Sequence, residues 1–97
     1  MVYNYFMQKK RKQLIKVPKH MSDTMAGRLQ FAMEVRGYNQ AQLAEHIFVT
    51  RSAVNGYCNG YRTPNCDILR RIAIELDITT DYLLGLNDYI VLQKSNN

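Results

Sequence analysis

Between Thr24 and Gly85 helix starts and stops follow one another so closely that only short helices fit. Asp23 or Thr24 stands before an apolar stripe of Leu29, Ala32 and Met33, and Gly37 ends it where a C′ glycine belongs. Asn39 caps the next helix, with Gln42 at capping-box spacing and Leu43, Ala44 and Ile47 on its core face. Thr50 caps a third, from Arg51 to about Cys58, with Ala53, Val54, Tyr57 and Cys58 turned inward and Asn59-Gly60 as its stop. Pro64-Asn65 opens a fourth, with Asp67 in its first turn and a stripe of Leu69, Ile72, Ala73 and Leu76. Thr79 caps a short fifth carrying Leu83 and Leu84, closed by Gly85. The pattern predicts an all-α domain over residues 24–86, with no strand, internal repeat or low-complexity segment within its helices.

The rest of the chain is short. Ninety-seven residues suffice for one small domain with tails, and leave no room for a large active-site cleft. Residues 1–23 lack a sustained period and are broken by Pro18, so they read as a mobile basic arm; residues 87–97 read as a C-terminal tail. Within that tail, Tyr89-Ile90-Val91-Leu92 is a β-prone run that suits a strand, a helical extension or a docked tail. The arm holds six Lys/Arg against Asp23 alone, which equals the whole net charge of +5. A basic arm on a neutral domain suggests a polyanionic partner, nucleic acid first, against the plainer reading of a solubilising tail. Met21 also offers an alternative start. A chain beginning there is expected to lose affinity and keep its stability, because the core stripes begin after Asp23.

Several classes of function are excluded. No apolar run approaches the roughly 18 residues of a membrane span, and the N-terminus lacks the apolar stretch of a signal peptide, which predicts a cytoplasmic protein. Cys58 and Cys66, with His20 and His46, match no zinc spacing and read as buried thiols; no metal or cofactor is expected. Neither a Ser-His-Asp set, a carboxylate pair nor a phosphate-binding loop appears, so the chain is not expected to be an enzyme.

The middle pair of helices carries the function. Gln40-Ala41-Gln42-Leu43-Ala44 is followed, after a tight connection, by Val49-Thr50-Arg51-Ser52-Ala53-Val54. Small Ala44 lets the second helix cross closely, and that helix turns Ala53, Val54 and Tyr57 inward while presenting Arg51, Ser52 and Asn55 outward. This is helix-turn-helix geometry. Residues 28–84 resemble the lambda-repressor-like, XRE-type helix-turn-helix family. The resemblance is carried by Arg28-Leu29, Gly37, Gln40, Leu43-Ala44, Val49-Thr50, Val54, Asn59-Gly60, Arg62, Pro64, Leu69, Ala73, Leu76, Ile78, Leu83 and Leu84.

The resemblance implies a five-helix domain that binds operator DNA, usually as a homodimer. It assigns Thr50, Arg51, Ser52 and Asn55 to base edges or the flanking backbone, and Gln40, Asn59 and Arg62 to phosphates. Arg suits guanine O6/N7 and Asn suits adenine N6/N7. Tyr61 either stacks on a sugar at the backbone or covers the loop, and Lys9, Lys10, Arg11 and Lys12 of the arm suit phosphates. The chain departs from the family pattern in three places. Phe48 fills the turn where glycine is usual, which suggests a different path. Gly56 removes a side chain that often reads DNA, and lets the backbone approach the groove. Met33 and Cys58 replace an Arg–Glu ion pair with an apolar one.

The resulting expectation is a sequence-specific regulator, a repressor of bacterial or phage type, that binds a palindromic operator as a homodimer. Its rivals are a DNA-binding antitoxin and an interaction module that keeps the fold without DNA. A partner protein, toxin or antirepressor, is one route of control. Phe31, Val35 and Ile74, off the core stripes, are expected to pack the tails or a second copy.

Overall fold

The computed structural model describes residues 13–92. Five helices occur in the expected order: α1 (Met25–Arg36), α2 (Gln40–Ile47), α3 (Arg51–Asn59), α4 (Cys66–Leu76) and α5 (Thr80–Leu84). Each of these five is opened by a side-chain oxygen that accepts from a first-turn backbone N–H: Thr24, Asn39, Thr50, Asn65 and Thr79 in turn. The Asn39–Gln42 pair forms a reciprocal capping box, so two otherwise orphaned donors are satisfied at the start of α2. Glycines at 37, 60 and 85 close α1, α3 and α5 in the left-handed region.

Side chains from all five helices meet in one core, with Leu29, Leu43, Ile47, Val54, Ile72, Leu76 and Leu83 almost fully buried. Burying side chains of this size contributes roughly 1.5–3 kcal/mol each before the entropy of ordering is subtracted. Tyr57 and Leu69, expected inside, are half-buried, and Leu84 is exposed. Phe31 and Val35 pack against the core, whereas Ile74 stays 69% exposed.

The ends of the domain depart from the expectation. Gln13–Lys16 form a strand, β1, which pairs antiparallel with β2 (Tyr89–Leu92), Ile15 opposite Ile90. A 3-10 turn over Lys19–Met21 links β1 to α1. The β-prone run at 89–92 is thus a strand, and the second half of the basic arm is its partner. A lone two-stranded ladder is marginal in water, and this one is held by the helices. Val17 and Ile90 are buried in the core. Arg36 at the end of α1 donates to Leu76 O, Asp77 O and Val91 O. Arg28, only 4% exposed, donates to Ser22 O, Tyr82 O and Asn87 O and forms an ion pair with Asp88. Among the described residues no buried side-chain nitrogen or oxygen lacks a hydrogen-bond partner. No helix among them is long and apolar enough to cross a membrane.

Candidate nucleic-acid interface

The unit formed by α2, its turn and α3 is fixed from three sides. Val49 N–H donates to Ala44 O at 3.0 Å inside the turn. Phe48 sits at φ 62°, ψ 45° and is 83% exposed. The turn therefore keeps the left-handed path, and Phe48 bears a cost of about 1 kcal/mol that glycine would avoid. Arg71 of α4 supports the end of α2 by donating to Ile47 O at 3.0 Å. On the α1 side, Cys58 Sγ lies 3.7 Å from Met33 Sδ, so the apolar replacement of an ion pair is a buried sulfur contact. Burial pushes the Cys58 thiol above its ordinary pKa. Cys66, expected buried, is exposed at the start of α4.

Behind the turn, Glu75 of α4 accepts from Tyr38 Oη at 2.6 Å and contacts His46 Nδ1 at 2.7 Å. The Tyr38 hydroxyl and then His46 hold its carboxyl below the usual glutamate range. This cluster ties both ends of α2 to α4, and sequence gave no sign of it because its members lie in three separate segments.

On the opposite face, Arg51, Ser52, Asn55 and Asn59 form the exposed side of α3. Asn59 Nδ2 donates to Asn55 Oδ1 at 3.1 Å, and Asn55 Nδ2 donates to Gln40 Oε1 at 3.1 Å. A chain of three amides therefore joins the start of α2 to the length of α3. It unites the residue assigned to bases with two assigned to phosphates. Thr50 is placed at the N-cap, where its Oγ1 accepts from Ala53 N–H at 3.0 Å. Tyr61 is 85% exposed and makes no cover for the loop.

Gly56 differs from its sequence reading. It lies toward the outward side of α3, one turn beyond Ser52, yet it is buried, because the side chain of Arg62 covers it. A Cβ at position 56 would meet Arg62 Cγ and Cδ at 2.9 Å. Lys9, Lys10, Arg11 and Lys12 lie outside the described residues. Among those described, no three His, Cys, Asp or Glu side chains gather as a metal site.

Comparison with known proteins agrees with this architecture. Residues 30–83 match the family model described as helix-turn-helix. Over 65 residues the chain is 31% identical to the HTH-type transcriptional regulator ImmR of Bacillus subtilis (strain 168), a match covering 67% of this chain and 51% of ImmR. Over 70 residues it is 31% identical to the HTH-type transcriptional activator BcrR of Enterococcus faecalis, covering 72% of this chain and 34% of BcrR. The chain thus spans half of one relative and a third of the other. The P22 c2 repressor, solved with a synthetic operator, superposes with a TM-score of 0.64 at 23% identity, over 67% of this chain and 98% of that one. SinR, solved with DNA, gives 0.60 at 22% identity, over 63% and 98%. These two likenesses establish the fold. With the family model covering more than half of its length, the chain belongs to the XRE-type helix-turn-helix family.

Proposed function

We propose that the protein is a sequence-specific regulator of transcription, a repressor, that lays α3 in the major groove of double-stranded DNA. The observation that carries this reading is the outward side of α3. Arg51 and Ser52 stand exposed in its first turn, Asn55 is oriented by the amide chain, and no acidic residue lies on the helix. Such a surface offers donors and acceptors to base edges from a rigid mount. Arg51, Ser52 and Asn55 contact bases, with Thr50 at the groove edge. Gln40 and Asn59 hold phosphates through the amide hydrogens that their mutual chain leaves over. Tyr61 lies against the backbone. The curated relatives, one named a transcriptional regulator and the other a transcriptional activator, support a role in regulating transcription.

The protein binds as a homodimer on a two-fold operator. Exposed Leu84 and Leu86, beyond the start of α5, suit contact with a second copy. Half-sites then lie about one helical turn, roughly 34 Å, apart. Selection of bound sequences from random duplexes tests the proposal. A two-fold symmetric consensus is expected; binding without any sequence preference would refute operator reading, and an unsymmetric consensus would refute the dimer.

A further inference from the structure

We propose that Arg62 reads a base, not a phosphate, by reaching across α3 at Gly56. This rests on the DNA-binding reading above and adds a specificity residue to it. Three observations converge. The loop after α3 folds back on the helix, with Tyr61 N–H and Arg62 N–H both donating to Gly56 O, at 2.9 and 3.2 Å. The aliphatic stem of Arg62 then lies on Gly56, its Cβ, Cγ and Cδ filling the space that a side chain at 56 would need. By helical spacing, Gly56 sits one turn from Ser52 and beside Asn55, within the row that faces outward.

On the proposed route, the head of a side chain whose stem crosses that row reaches the face that enters the groove, not its flank. Its guanidinium is also uncommitted, since no described carboxylate or carbonyl takes it, whereas Arg28, Arg36 and Arg71 are all bound by protein oxygens. Arg62 is exposed, and its backbone is anchored while its head is available. A planar head with five donors on a stem held by packing is suited to guanine O6 and N7. Gly56 thus does not delete a reading contact. It provides the channel through which one is delivered from the loop.

The test measures the full chain, wild type and variants, on the duplex selected above and on every single base-pair substitution of it. Arg62→Ala is expected to weaken selected-site binding about ten- to a hundredfold and to flatten the preference at one G·C pair in each half-site. Binding to random duplex should fall much less. Gly56→Ala, which pushes the stem off the helix, should flatten the same pair and add little to Arg62→Ala in the double variant. Melting temperatures establish that each variant is folded, and Arg62→Ala, at an exposed position, carries the test by itself.

Equal losses on selected and random duplex, with the base profile unchanged and the slope of log K against log salt reduced by about 0.9, would make Arg62 a phosphate contact and overturn the proposal. An intact preference in Gly56→Ala would overturn the route over the helix. A wild-type protein with no sequence preference would overturn operator reading itself, and this inference with it.

Discussion

Two pairs of arginines divide the molecule. Arg28 and Arg36, on α1, are bound to protein oxygens from distant segments: between them they take Ser22, Leu76, Asp77, Tyr82, Asn87, Asp88 and Val91. Arg51 and Arg62, at α3 and its loop, are exposed and take no protein partner among the described residues. The same guanidinium fastens the segments before α1 and after α5 to the helices in one region and stands exposed in the other. Burial decides between the roles. A buried guanidinium must satisfy its donors within the protein, whereas an exposed one keeps water as a displaceable partner.

The fastening role makes the strongest claim on stability, and truncation sharpens it. A chain starting at Met21 loses β1 together with buried Val17, and leaves Ile90 without its partner Ile15. It should unfold about 2–4 kcal/mol more easily in denaturant titrations. This revises the expectation from sequence that such a chain keeps its stability. Deleting residues 2–12 instead preserves the ladder. It should leave the unfolding midpoint in place and, if Lys9, Lys10, Arg11 and Lys12 engage phosphates, lower the salt slope of DNA binding by about three to four. Equal stability of the two truncated chains would break the account of the ladder.

A smaller effect tests the mount of α2. Glu75 is held below its ordinary pKa of 4.5, chiefly by Tyr38 and then by His46. Because the folded value lies below the unfolded one, its contribution is present above pH 4.5 and is lost as the pH falls through the folded value. Tyr38→Phe removes the larger cause, so its stability should differ less from the wild type at acid pH than at neutral pH. A constant difference across that range would show that Glu75 does not couple to Tyr38.

How much was legible follows the same division. The helices were readable because a cap oxygen and an i, i+3, i+4 stripe lie within each one, joined by a closing glycine in Thr24–Gly37 and by a capping box in Asn39–Gln42. The ladder was not, because Gln13–Lys16 carries no period of its own and its partner lies nearly a whole chain away. Arg28 stood in the family pattern without a stated role, since its partners come from both ends of the domain. On the candidate interface, spacing gave the exposure of Arg51, Ser52 and Asn55. It did not give the amide chain through Gln40, or the passage of Arg62 over Gly56, because both depend on which way side chains lean between elements. Phe48 shows the converse limit: its size argued against a left-handed turn, but packing of α2 and α3 on either side imposes one.

On the proposed reading the arginines of α1 hold the fold while those of α3 and its loop hold DNA, and one paired measurement separates the two roles. Arg28→Ala and Arg51→Ala are compared for unfolding free energy and for the ratio of selected-site to random-duplex affinity. Arg28→Ala should lose about 3 kcal/mol of stability, because carbonyls of Ser22, Tyr82 and Asn87 lose their donor, while its folded fraction keeps the ratio. Arg51→Ala should keep its stability and lose about 1–3 kcal/mol of discrimination. An Arg51→Ala protein with an unchanged ratio, or one destabilised as much as Arg28→Ala, would contradict the account.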